Sequence, residues 1–349
     1  MSKRILLGMS GGVDSSAAAL RLIRQGYDVC GATLLLTPES TSVDREVNDA
    51  AEACRALGIK HLVPDMKELF KAKVIDYFAE EYARGRTPNP CIVCNREIKL
   101  GAMLDYALEN GFDAVATGHY AGIERQPDGQ MALRRSRCSK DQSYVLWQLS
   151  QHQLAHAVFP LCDEEKSVLR EEVRAAGIPC YAKPDSQDIC FIPDGDYRRY
   201  LRERCGITDR EGSFVDENGN VLGRHSGITG YTVGQRKGLG GGFPEPMFVA
   251  ELRPASNEIV LCPGRKKLRS TVFCENINMI RKDCDSHFSA EVKLRYSAPM
   301  QQAEIDYDAA AGKAILRFEQ PQPSPTPGQS AVFYSGEYVL GGGIITGSE

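Results

Sequence analysis

No apolar run in this 349-residue chain approaches the roughly 20 residues needed to cross a bilayer. The stretch opening MSKRILLGMSGG is too short and too soon broken for a signal peptide. The expectation is a cytoplasmic protein with no membrane partner. A strong basic excess is missing too: the net charge is −4, which excludes a globally basic nucleic-acid binder but not a local basic stripe. Internal repeats and low-complexity tracts are absent. What remains, 42% hydrophobic and 25% charged residues, is ordinary globular composition, and the length predicts two or three domains. Cysteine is the exception, with twelve residues. In a reducing compartment they do not predict a disulfide scaffold. Cys30, Cys54, Cys138, Cys162 and Cys205 stand singly and read as small buried hydrophobes.

The first 200 residues alternate. Arg4–Met9 is a short apolar run, followed by Ser10-Gly11-Gly12, a helix beginning at Asp14-Ser15-Ser16 and stopping at Gly26, and a second strand in Tyr27–Leu36. Strand, helix, strand in this order predicts a parallel sheet covered by helices. Helices follow over Asp44–Leu57, Lys67–Arg84 and Arg96–Asn110, with strands at His61–Pro64 and Phe112–Gly118; Ser136–Ser150 and Asp163–Ala176 read as loops with helices. Near Cys205 helical periodicity ends. Asp216–Asn220 is a hairpin turn signal, and His287–Tyr296 alternates with Ala290, Val292, Leu294 and Tyr296 on one face. Lys313–Phe318 reads as a strand, Gln320–Gln329 as a Pro-rich loop, and Ala331–Ile345 as a hairpin around Ser335-Gly336. The predicted fold is an α/β doubly wound parallel sheet over residues 1–204, a small β domain over 205–268 and a β-barrel over 269–349.

The sharpest local signal is Gly8-Met9-Ser10-Gly11-Gly12-Val13-Asp14-Ser15-Ser16, set between strand and helix. Glycines let backbone N–H groups approach an anion there, and the helix terminus adds partial positive charge. Neither the G-x-x-x-x-G-K-[ST] loop nor the three-glycine dinucleotide spacing is present. The S-G-G-x-D-S string resembles the pyrophosphatase loop of the ATP pyrophosphatase superfamily. That likeness implies ATP cleavage to AMP and pyrophosphate, with Asp14 working near the pyrophosphate through Mg2+.

The stretch Thr87–Asn95, TPNPCIVCN, places Cys91 and Cys94 in what reads as a Pro-stiffened loop, and Cys190 lies in DSQDICFI. Structural zinc wants a second C-x-x-C pair, which is missing. A thioredoxin-like motif wants a helix start after a strand. Plain burial, an iron–sulfur site and sulfur transfer stay open on the residues alone.

GMSGGVDSS, GRTPNPC-x-x-CN-x-EIK, ATGHY, KDQSY, DSQDICFI, GQRKGLG and TPGQSAVFY occur in order. Together they resemble the bacterial tRNA-specific 2-thiouridylase family over essentially the whole chain. The resemblance implies that ATP adenylates O2 of the wobble uridine in tRNAs for Lys, Glu and Gln. A persulfide on Cys190 then delivers sulfur, and Cys94 releases it through a disulfide with Cys190. It implies ATP binding by Gly8, Met9, Ser10, Gly11, Gly12, Val13, Asp14, Ser15, Leu34 and Gly118. It also implies tRNA contacts at His119, Lys140, Asp141, Gln142, Arg295, Tyr296 and Gln329. Arg236-Lys237 reads as a basic lid loop. A cysteine desulfurase or a sulfur relay protein is the expected donor. A non-thiolating synthetase of the same superfamily is the more distant alternative.

One departure stands out. Well-known members carry aspartate where this chain has Cys91. Cys91, Cys94 and Cys190 would then form a three-cysteine set able to hold a [4Fe–4S] cluster with one iron open.

Overall fold

The computed structural model describes residues 2–38, 41–183, 189–264, 267–282 and 284–349. Residues 185–188 of the DSQDICFI stretch therefore lie outside the described residues. Five parallel strands form the first sheet: β1 (Arg4–Gly8), β2 (Asp28–Ala32), β3 (Lys60–Leu62), β4 (Ala114–Ala116) and β7 (Ala157–Val158). Their order is β3-β2-β1-β4-β7. Ile5, Leu6 and Leu7 of β1 are fully buried, because helices cover both faces. The chain leaves β1 in one direction for β2 and returns on the other side as β4. This reversal opens a crevice at the carboxyl ends of β1 and β4, where such sheets bind ligands.

The helices are α1 (Val13–Arg24), α2 (Thr41–Ala56), α3 (Lys67–Phe70), α4 (Asp76–Ala83), α5 (Pro90–Cys94), α6 (Met103–Glu109), α7 (Gln151–Ala155), α8 (Lys166–Ala175) and α9 (Tyr197–Arg204). A π-helical run, Lys71–Ile75, joins α3 to α4, and a second, Asn95–Ala102, joins α5 to α6. The TPNPCIVCN stretch is thus not wholly a loop. Asn89 caps α5, its side chain accepting from the Cys91 amide at 3.1 Å, and Pro90 takes the first helical position. An Asx cap followed by Pro starts a helix, and that pairing outweighs the loop reading of the doubled proline.

The central unit is a four-stranded sheet ordered β10-β11-β8-β9, from β8 (Gly212–Val215), β9 (Val221–His225), β10 (Met247–Arg253) and β11 (Glu258–Pro263). Its first hairpin turns at Asp216–Asn220, as the sequence predicts. In the last unit β12 (Leu268–Met279), β15 (Lys313–Pro323), β14 (Gln301–Asp308), β13 (His287–Lys293), β16 (Ser330–Ser335) and β17 (Tyr338–Ser348) pair in that order. β17 pairs back onto β12, closing a six-stranded barrel. β13 ends at Lys293, earlier than the alternation predicts. Ala290, Val292 and Leu294 do point inward, but Tyr296 is exposed beyond the strand.

The first unit reaches into the barrel sheet. Hairpin β5 (Ala121–Arg125) and β6 (Met131–Arg135) adds to β17 through Leu133–Val339 and Arg134–Tyr338 pairings. Trp147, the chain's sole tryptophan, is fully buried at this seam. It donates to Ser330 Oγ at 3.0 Å and lies against Gly342, where a Cβ would sit 2.9 Å from the indole. A second seam is ionic. Buried Glu81 faces Arg84 and Arg86, and Arg86 reaches Glu275 of the barrel at 2.7 Å.

Candidate active site

The phosphate loop is built by exclusion of side chains. Gly11 has φ +66°, and a Cβ there would lie 2.7 Å from Asp49 Cβ and 2.9 Å from the Ala50 amide. Only glycine fits beneath α2. Gly12 occupies the N-cap of α1 with no side-chain cap hydrogen bond. The sequence reading assigned that role to Asp14 and the serines. The side chains turn elsewhere instead: Ser15 Oγ donates to the Gly12 carbonyl at 3.2 Å, and Ser10 and Ser15 hydroxyls lie 3.3 Å apart. A helix start without a side-chain cap leaves N–H groups in the arrangement that an anion site requires.

Asp14 is held by two residues that the sequence reading did not assign. Tyr120 donates its hydroxyl to Oδ1 at 2.7 Å, and Lys166, first residue of α8, donates to Oδ2 at 2.9 Å. Lys183 closes the other side, donating to the Gly11 carbonyl at 2.9 Å and pairing with Asp49. Two lysines beside a phosphate loop supply the charge a triphosphate needs. Gly118 packs directly on the loop: a Cβ would meet the Asp14 backbone at 2.9 Å. Leu34 is half-buried past the end of β2, against the main core.

The next residue along the chain bears on the thiols. His119 follows Gly118, is buried, and shares a 2.6 Å hydrogen bond between Nδ1 and Thr117 Oγ1. Burial, helped by the charge of Lys99, pushes its pKa down to about 3, so the imidazole is neutral. Lys99 acts in turn on Cys91, Cys94 and Cys190. Cys94 is buried and pushed up to about 12, desolvation outweighing the lysine. Cys190 is raised for the same reason, though its residue surface is exposed. Cys91 is exposed on the first turn of α5. None of the twelve cysteines is in a disulfide. Lys99 has no motif of its own beyond the EIK string, and nothing in its spacing pointed to the thiols.

Cys91, Cys94 and Cys190 act on one another as well as on Lys99, and among the described residues no group of three or more His, Cys, Asp or Glu side chains is placed to hold a single metal ion. Of the scattered cysteines, Cys30, Cys54 and Cys138 are buried as expected, whereas Cys162 and Cys205 are half-buried.

The residues expected at a tRNA surface divide into two groups. Lys140, Arg236 and Lys237 are exposed, and Arg295 is half-buried. Asp141 and Gln142 face inward. Asp141 accepts from the Ser136 and Ser143 amides at 3.0 and 3.2 Å, and Gln142 accepts from the Tyr120 amide at 3.0 Å. They shape the loop beside Asp14 rather than present it. Tyr296 donates to the Asp141 carbonyl at 3.0 Å, with Lys293 Nζ 5.4 Å from its ring centroid. A groove between the first unit and the barrel is lined by Arg135, Arg137, Lys293 and Tyr296, with Asp141 and Glu337 paired to the two arginines; its arginine, lysine and tyrosine groups are of the kinds that contact RNA. Gln329 donates to the Thr87 carbonyl at 2.7 Å, where the cysteine stretch begins. No helix among the described residues is long and apolar enough to cross a membrane.

Comparison with known proteins covers the whole chain. Residues 3–194 match the family model described as tRNA methyl transferase HUP domain. Residues 199–263 match a tRNA methyl transferase PRC-barrel domain, and 269–345 an aminomethyltransferase beta-barrel domain. A tRNA-specific 2-thiouridylase MnmA of Treponema denticola is 42% identical over 99% of this chain and 98% of its own length. That of Clostridioides difficile is 43% identical over the same shares. The domain descriptions name methyl transfer, whereas the full-length relatives are named for thiolation; the latter match far more of the chain as one unit. A solved 4-thiouridine synthetase–RNA complex with bound ATP is 20% identical, with a TM-score of 0.37 over 58% of this chain and 50% of its own, too low to carry an argument.

Proposed function

The chain belongs to the tRNA-specific 2-thiouridylase family and is a tRNA sulfurtransferase, and from that premise we propose how its residues divide the reaction. ATP binds across the Gly8–Ser15 loop with Leu34 and Gly118 beside it, while Lys166 and Lys183 balance the triphosphate charge. Asp14 is the loop carboxylate that fits a magnesium ion accompanying ATP, which would neutralise phosphate charge. The wobble uridine O2 attacks the α-phosphorus, and pyrophosphate leaves with the P–O bonding pair. The adenylate makes C2 electrophilic.

Sulfur transfer then uses two thiols. The terminal sulfur of a Cys190 persulfide attacks C2 as an anion; the C2–O bond breaks and AMP leaves with its pair. Uridine is now joined to Cys190 through two sulfurs. Cys94 thiolate attacks the Cys190 sulfur, the S–S bond to the transferred atom breaks, and 2-thiouridine departs and takes a proton. The resulting Cys94–Cys190 disulfide accepts two electrons from a dithiol reductant. A sulfur donor protein, such as a cysteine desulfurase or relay protein, restores the persulfide.

Residues 1–204 carry both half-reactions in this scheme, while 205–268 and 269–349 hold tRNA. Lys140, Arg295 and Tyr296 meet the RNA. Buried His119 contacts the nucleotide inside the site. Asp141, Gln142 and Gln329 set the loops. One observation carries the reading: Cys94 and Cys190, 96 positions apart, act on one lysine, and that lysine also acts on His119, whose neighbour Gly118 rests on Asp14. Sulfur chemistry and ATP chemistry share one crevice. A non-thiolating synthetase would need neither cysteine. Mass spectrometry of wobble nucleosides tests this: cells lacking the chain should lose 2-thiouridine, and Cys94→Ser or Cys190→Ser should not restore it. Unchanged 2-thiouridine would reject the reading.

A further inference from the structure

We propose that Tyr120 couples the two substrate sites: as a positioning residue it transmits the docking of RNA on the Lys140–Gln142 loop to the Asp14 carboxylate of the ATP loop, so that bound tRNA tightens ATP binding. This rests on the readings of the ATP loop and of the tRNA surface above, but gives a role to a side chain that neither uses.

The path is a run of hydrogen bonds. Tyr120 is buried, and its hydroxyl donates to Asp14 Oδ1 at 2.7 Å. Gln142 holds the Tyr120 backbone at two points. The Tyr120 amide donates to Gln142 Oε1 at 3.0 Å, and the Gln142 amide donates to the Tyr120 carbonyl at 2.9 Å. One residue earlier, the Asp141 carbonyl accepts from the Tyr296 hydroxyl of the barrel at 3.0 Å. Lys140, one residue earlier again, is exposed. RNA that touches Tyr296 or Lys140 therefore acts on the loop that holds Tyr120, and through Tyr120 on Asp14. Gln142 belongs to a stretch expected to meet tRNA, yet its side chain is spent on Tyr120.

The loop is built to move as one piece. Asp141 Oδ1 accepts from the Ser136 and Ser143 amides, and Oδ2 accepts from the Ser143 hydroxyl at 3.0 Å. The Val145 amide donates to the Gln142 carbonyl at 3.1 Å, and the Val145 carbonyl accepts from Asn95, the residue after Cys94, at 3.0 Å. A loop crossed by its own hydrogen bonds passes a displacement at its outer end on to Gln142 instead of absorbing it. Tolerance at the receiving end is small. Gly118 leaves only 2.9 Å between a Cβ and the Asp14 backbone, so residues 118 and 120 fix both the backbone and the carboxylate of Asp14. The other described donor to that carboxylate, Lys166, comes from α8 and stands outside the path. Coupling has a chemical use. ATP bound without uridine exposes its α-phosphorus to water, and a loop tightened only by docked tRNA limits that loss.

The test is a linkage measurement on the full chain. Calorimetry gives the affinity for an ATP analogue with a methylene between the α- and β-phosphorus, which cannot release pyrophosphate. It is measured without tRNA and with saturating unmodified substrate tRNA. Wild type should bind the analogue at least about fivefold more tightly with tRNA present. Tyr120→Phe removes only the hydroxyl and should bring this ratio to within about twofold of unity. Tyr296→Phe, at the other end of the path, should lower it as well. Lys166→Met removes an Asp14 donor outside the path, so it should weaken the analogue yet keep the full ratio; damage that acts equally on both affinities leaves a ratio unmoved. All variants are checked for folding by thermal melt. A ratio near unity in the wild type, an undiminished ratio in either Phe variant, or a lost ratio in Lys166→Met overturns the proposal. The reading of the ATP site fails separately: analogue affinity unaltered by both Lys166→Met and Gly118→Ala would place ATP elsewhere, and the coupling would fall with it.

Discussion

Gln329 Nε2 donates to the carbonyl oxygen of Thr87 at 2.7 Å across 242 positions of chain. Thr87 is where the three units meet: its amide donates to the Pro327 carbonyl at 2.8 Å, and its hydroxyl lies 3.1 Å from that of Thr232. The cysteine stretch starts here, so the barrel and the central unit position helix α5, which carries Cys91 and Cys94, from outside its own unit.

That clamp makes Gly328 a sensitive position. It has φ +90°, and a Cβ would sit 2.7 Å from the Thr87 amide. Gly328→Ala should lower stability by about 2 kcal/mol and thiolation by tenfold or more, while ATP affinity holds. Gln329→Ala removes one hydrogen bond and should cost about 1 kcal/mol. Thermal melts, calorimetry with ATP and thiolation assays together separate a displaced α5 from a damaged ATP site.

Lys166 and Gly118 bear on the other half-reaction. Lys166→Met leaves the Asp14 carboxylate with only the Tyr120 hydroxyl of its two described donors and removes a cation from the triphosphate site. ATP affinity should fall about tenfold, or ~1.4 kcal/mol, by calorimetry. Gly118→Ala pushes a methyl into the Asp14 backbone and should weaken ATP binding more.

Acid stability should report His119. Its pKa lies near 3 in the folded chain against an ordinary value of 6.5. The unfolded chain therefore binds the extra proton first, and stability is lost as pH falls from about 6.5 towards 3. Protonating the buried imidazole below that window costs the fold on the order of 5 kcal/mol. His119→Gln should flatten the decline of the melting midpoint between pH 6.5 and 4; an unaltered slope would count against the assignment.

The two thiols should fail differently. With persulfide-loaded enzyme, ATP and tRNA, Cys94→Ser should stop after sulfur attacks C2 and leave tRNA joined to Cys190. The adduct should appear as a slow band on non-reducing gels and vanish with dithiothreitol. Cys190→Ser should form none. An adduct in neither variant, or in both, would contradict the order of attack.

Much of the fold was legible because its signals are short-range. Strand, glycine loop and helix follow one another closely and predict a parallel sheet, which the chain realises with β1, the Gly8–Ser15 loop and α1. The Asp216–Asn220 turn and the Ser335-Gly336 turn likewise close where turn chemistry places them. The start of α5 was misjudged, although Asn-Pro is itself a cap signal, because the first proline was read as stiffening a loop. Hairpin β5–β6 escaped notice although its turn carries the local signal Asp128-Gly129; only its addition to β17, at Leu133–Val339, lay beyond short-range signals.

The sequence by itself determined the chemistry on offer: a loop for phosphate, thiols for sulfur, and an order of motifs shared with one family. Tertiary structure alone decided what each group meets. Lys166 reaches Asp14 only because α8 packs on α1. Desolvation, which sets the charge of His119 and of both thiols, is a property of the packed interior and has no counterpart in the order of residues.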